Sequence, residues 1–128
     1  MLCFPLKKEW FEKIKKCEKT IEYREVKPYW SMRIFNELKR ELKKHYPNSK
    51  EKIATLRLQE FLEMAKEDTI VFEPADAFTL QGVFRLGYGT EKLSVIITKI
   101  EIIDGKDTDL AIDKPVFAIY FKLMQRKE

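Results

Sequence analysis

The 128-residue chain has two cysteines, Cys3 and Cys17, a single histidine, His45, and no apolar run long enough to span a membrane. Each scarcity excludes a class of protein. Two cysteines without C-x-x-C spacing, beside one imidazole, supply neither a disulfide framework nor the four ligands of a structural zinc site. A spanning helix takes roughly 20 apolar residues, and the opening "MLCFPLKKEW" meets its first lysine at Lys7, too early for a secretory leader. These absences lead us to expect a soluble, cytoplasmic protein with reduced thiols, no membrane contact, no metal and no cofactor. Neither an internal repeat nor a low-complexity linker is present.

What the chain does have is enough apolar residue, 45%, to bury one core at this length, so one domain over 1–128 is expected. The formal charge of +4 and the pI near 9.0 lean toward an anionic partner. The lean is local: Lys39, Arg40, Lys43, Lys44, Lys50 and Lys52 crowd one region. A solvated helix face explains such a run, and an adaptor surface for a protein partner is the sharper alternative.

The pattern of apolar residues divides the chain into helices first and strands later. "LCFP" reads as a short strand, and Trp10, Phe11 and Ile14 then recur at helical spacing against a lysine-rich face. Cys17 stands where that helix should end, a position that commonly needs a left-handed backbone and usually takes glycine. "TIEYREV" alternates, with Ile21 and Tyr23 on one face and Thr20, Glu22 and Arg24 on the other. After Pro28, Ser31 can cap a second helix striped by Ile34, Phe35, Leu38 and Leu42, with Pro47 and Asn48 ending it. A third helix is expected from about Ile53 to Lys66, carrying Leu56, Phe61, Leu62 and Ala65, within a helical insertion around 48–79. From Thr69 onward, "TIVFE", "FTLQGVFRLGYG", "KLSVIITKIEII" and "VFAIYFKLM" are β-rich and punctuated by Pro74, Gly87, Gly89, Gly105 and Pro115. The fold class is α+β, with a mixed or antiparallel sheet curled into a small barrel and flanked by helices.

The spacing Cys17-x-Lys19-x-x-Glu22-x-Arg24, at the junction of the first helix and the second strand, resembles the Gly-x-Lys-x-x-Glu-x-Arg signature of the ASCH domain, a relative of the PUA-like barrels. Three of the four signature positions match, and Cys17 is the departure. The order of elements is similar too, and "FRLGYG" resembles a Phe-x-x-Gly-Tyr element of some small members. The resemblance implies a PUA-like barrel and an RNA, nucleotide or modified-nucleoside ligand.

On the residues themselves, Glu22 and Arg24 can orient each other while Lys19 offers a movable ammonium. Donors and an acceptor together suit a nucleobase edge, whereas a bare phosphate needs only cations. Trp30, next to Tyr29, can stack a base or pack in the core; Arg85 and Tyr88, by a glycine-flanked turn, are candidates for the rim of the site. The ligand-binding set is therefore Lys19, Glu22, Arg24, Trp30, Arg85 and Tyr88. The resemblance also leaves open a small hydrolase, an acylated-cytidine amidohydrolase or a ribonuclease, with Lys19 and Glu22 in the reaction. In the amidases a threonine stands in the place held here by Glu22, so Thr20 is a weak substitute, and Glu101, Asp104 and Asp107 are the candidates for a distant acid.

Overall fold

Leu2, Phe4 and Leu6 are buried and alternate with half-buried Cys3 and Pro5, the period-two signature of a strand lying against a core, and they form β1 (Leu2–Leu6). The computed structural model describes residues 1–73 and 80–124, without the side chains of 64–68. Helix α1 (Lys8–Lys15) follows and buries Phe11 and Ile14. It stops at Cys17, whose φ of 60° is the left-handed conformation expected of that position. The Cys17 amide donates to the Ile14 carbonyl and the Glu18 amide to the Lys13 carbonyl, the paired bonds of a Schellman ending. This sharp reversal launches β2 (Ile21–Glu25).

Helix α2 (Pro28–His45) begins three residues before the expected cap. Proline at the first helical position needs no amide partner and brings a helical φ, so the helix starts at Pro28 with Lys27 as its flanking residue. Ser31 is thus a buried residue within the first turn and not a cap. Ile34 and Leu38 enter the core, while Phe35 packs on Phe61, ring centroids 5.1 Å apart. The single third helix expected over 53–66 is instead a one-turn 3-10 helix at Pro47–Ser49, α3 (Lys50–Ala54) and α4 (Leu58–Asp68). The break at Thr55–Arg57 leaves Leu56 exposed, while Ile53 is buried. Lys39 fixes the break by donating to the carbonyls of Ala54 and Leu56 at 3.3 and 3.1 Å. Pro74, Phe78 and Thr79, read as strand or punctuation, lie outside the described residues.

The strands are β3 (Ile70–Phe72), β4 (Leu80–Leu86), β5 (Lys92–Asp104) and β6 (Pro115–Leu123). The main path runs β1-β4-β5-β6-β2, with β3 joined to β5 beyond the reach of β4. Among the described residues, only the β1–β4 pairing is parallel. Where β5 meets β6 the register slips between Ile97 and Lys99, a bulge that bends the long strand and helps curl the sheet into a half-barrel. Phe4, Phe84, Phe117, Ile97 and Ile119 fill its concave side, closed by Phe11 and Ile14 of α1 and Ile34 and Leu38 of α2. The fold is α+β, with four α-helices among the described residues around this sheet. No helix among them is long and apolar enough to cross a membrane.

Candidate functional site

Register decides which way the signature points. In the antiparallel β2–β6 pair, Glu22 lies opposite Ile119 and Arg24 opposite Phe117. Directly opposed residues share a face of the sheet, and Ile119 and Phe117 belong to the core. Glu22 and Arg24 therefore project into the half-barrel, while Ile21 and Tyr23 turn outward. The polar face of this strand is its inner one, and Glu22 is only 5% exposed.

Buried charges persist only when paired, and these are. Arg24 Nη2 donates to Glu22 Oε2 at 2.9 Å, and Lys19 Nζ lies 3.4 Å from Glu22 Oε1, which also accepts from the Tyr23 amide. Lys19 is bonded in addition to Asp109, which arrives on the loop between β5 and β6. The side chain of Lys19 is 8% exposed, so its ammonium is held among these groups and not free in solvent. Each tryptophan backs one of the two signature cations. Lys19 Nζ stands 5.0 Å from the ring centroid of Trp10, and Arg24 Cζ stands 4.8 Å from that of Trp30.

These residues line a cleft of about 490 Å³ at the seam of the half-barrel, where the two terminal strands of the path, β1 and β2, face each other. Main-chain pairing does not close that seam among the described residues. Arg24 bridges it, donating from Nη2 to the Pro5 carbonyl of β1 at 3.0 Å. Its Nε is buried with no hydrogen-bond partner among the described residues, an uncommon state that costs about 1–3 kcal/mol. Apolar walls come from Pro5, Leu6, Leu110 and Ile112. At the edge, Glu25 takes a hydrogen bond from Lys27 and feels the charges of Lys27 and Lys114, and together these hold its carboxyl below the ordinary range against the opposing effect of desolvation.

The structure thus brings Lys19, Glu22, Arg24 and Trp30 together and leaves Arg85 and Tyr88 out of the cleft lining. Arg85 folds onto its own turn, donating to the Gly89 carbonyl at 3.1 Å, and Tyr88, 95% exposed, projects from that turn. Trp30 combines both roles weighed for it, since it stacks on core Phe4 at 5.0 Å while lining the cleft. Thr20 is exposed and lines a smaller neighbouring recess. Of the three acids weighed as distant partners, Glu101 is engaged by Tyr120 and Lys99, Asp104 accepts from the Lys106 amide, and Asp107 does not line the cleft. Asp109 reaches Lys19 instead. Sequence reasoning missed it because 90 positions separate the pair and no local pattern marks the loop.

Trp10, which its spacing assigns to the apolar stripe of α1, is half-buried and forms a cleft wall. Its spacing to Lys13, whose ammonium also stands over the ring at 4.7 Å, was the available sign that one face of the indole is turned away from the core. Among the basic residues of the second helical region, Lys39 and Arg40 are committed to internal bonds, Arg40 with Glu37 at 2.6 Å. Compared with protein-family models, curated proteins and solved structures, the chain matches none.

Proposed function

We propose that the seam cleft binds a nucleobase presented by RNA, a nucleotide or a modified nucleoside, as the resemblance to the ASCH signature implies. One observation carries this reading: Glu22 and Arg24, inward-facing on their strand, converge with Lys19 on a single cleft of suitable size, where an ornamental ion-pair cluster would stand on the outer face of the sheet. Each group has a recognition role. The carboxylate of Glu22, which accepts from the Tyr23 amide on one oxygen and from Arg24 on the other, retains acceptor capacity for an exocyclic amine or a sugar hydroxyl. Lys19 and Arg24 offer donors to base carbonyls. The base lies against the apolar walls. A PUA-like barrel, with its ligand held at the strand edges, is the fold this reading assumes.

A hydrolytic role is less well supported, because Thr20 stands outside the cleft and Glu22 is locked between two cations. The test is thermal unfolding of the protein with nucleosides, modified nucleosides and short RNAs. A ligand bound only by the folded state raises stability by mass action, about 2.7 kcal/mol at a hundredfold excess over its Kd. At least one base-bearing compound is expected to raise the Tm, and Arg24→Ala to abolish the rise. A panel without any shift removes the reading.

A further inference from the structure

Every cation deep in the cleft is already matched by an anion of the protein. Lys19 is clasped between Glu22 and Asp109 and Arg24 is held by Glu22, while at the exposed edge Lys27 sits 3.0 Å from Glu25. Only Lys7, exposed where it lines the cleft, has no carboxylate partner among the described residues. An exposed single charge contributes little to binding. We propose that the cleft takes the uncharged base of a nucleoside and turns away its phosphate, and that Asp109 is the residue that sets this preference.

This inference rests on the base-binding reading and narrows it. A phosphate monoester carries about −1.5 to −2 charges at neutral pH. To reach Lys19 it would have to expel the Asp109 carboxylate, and it would then face the buried carboxylate of Glu22 across a few ångströms. Like charges at close range in a site shielded from water repel strongly, and specificity often resides in that repulsion. A neutral base meets no such barrier. Its carbonyls can share the donors of Lys19 and Arg24 without displacing either carboxylate, since an ammonium has three donors and a guanidinium five.

Asp109 is suited to the role because it is the removable member of the set. Its side chain is 37% exposed and comes from a loop, whereas that of Glu22 is 7% exposed and fixed on a strand. Removing its charge leaves Lys19 with Glu22 as its one carboxylate partner among the described residues.

The experiment is calorimetric titration of the protein and of Asp109→Asn with cytidine, adenosine and their 5′-monophosphates, at two salt concentrations. The unaltered protein is expected to bind each nucleoside at least as tightly as its monophosphate, with nucleoside affinity indifferent to salt. Asp109→Asn should move the ratio toward the monophosphate by about tenfold. A tenfold preference of the unaltered protein for monophosphates, or an unchanged ratio in Asp109→Asn, overturns the inference while leaving base binding in place. Absence of binding by all four compounds to either protein removes the base-binding reading and this inference with it.

Discussion

Glu22 and Ile119 stand opposite each other on neighbouring strands, so a carboxylate and a core isoleucine project into the same interior space. That juxtaposition makes Glu22 a structural member of the fold as well as a candidate ligand group. Removing one partner of a buried pair leaves the other uncompensated, which is far worse than losing an exposed pair.

Glu22→Ala should therefore destabilise the protein by about 3 kcal/mol, with Arg24 left facing the core unpaired. Glu22→Gln, which keeps a hydrogen-bond acceptor, should fall between the two. Urea unfolding at neutral pH measures both. A loss below about 1 kcal/mol in the alanine variant would mean that the pair has the energetics of an exposed one.

Cys17→Gly should raise stability by about 0.5–1 kcal/mol, because the left-handed φ of 60° is strained for a residue with a β-carbon and free for glycine. The gain is reduced by the extra freedom glycine has in the unfolded chain. The comparison is a pair of thermal unfolding curves. A lower Tm for the glycine variant would show that the cysteine side chain contributes more than the strain removes.

Gly105→Ala should disturb the cleft from a distance. A methyl group there would lie 2.7 Å from the Ile112 carbonyl oxygen and 2.8 Å from that of Lys114, both main-chain atoms that cannot swing aside. The amide of Gly105 donates to Lys114, and its carbonyl accepts from Ile112, so the collision falls at the base of the loop that delivers Asp109. Overpacking of this kind costs about 1–3 kcal/mol. Amide exchange should quicken across 105–114, and slow, unchanged exchange there would refute the assignment.

Tyr120 supplies a test in alkali. Its hydroxyl donates to Glu101 Oε1 at 2.5 Å, and that bond, followed by burial and the charge of Glu101, pushes the phenol up to about 12 from an ordinary 10.0. A proton held more tightly by the folded state stabilises the fold wherever the unfolded tyrosine is still protonated. The contribution is thus complete below about pH 10 and disappears as pH rises through about 12. Ultraviolet titration of the five tyrosines should show one late phenol, missing in Tyr120→Phe. A late phenol that persists in that variant would sink the assignment.

Local periodicity made most of this fold legible in the chain. The alternation of Leu2, Phe4 and Leu6, the spacing of Phe11 and Ile14, and the left-handed stop at Cys17 each involve neighbours within a few positions, where backbone geometry dictates the pattern. The break between α3 and α4 was not legible, since Lys39, from another helix, helps to hold it. Alternation in "TIEYREV" correctly grouped Glu22 with Arg24 but could not say which face was inside. That depended on the register with β6, nearly a hundred residues away in sequence. The convergence of Lys19 with Asp109 is invisible for the same reason, and the separation of Arg85 and Tyr88 from the cleft follows from a turn that folds back on its own strand.

The open seam bears also on association between molecules. An unpaired strand edge is a template on which a second chain can add itself, and among the described residues β1 and β2 present two of them. Pro5, within β1, has no amide hydrogen to offer an incoming strand, and β2 carries inward-pointing charge at Glu22 and Arg24, two recognised deterrents to edge-to-edge stacking. A well-meant redesign that replaced this pair with leucines would erase the cleft and, at the same stroke, strip β2 of its protection against fibrous self-assembly.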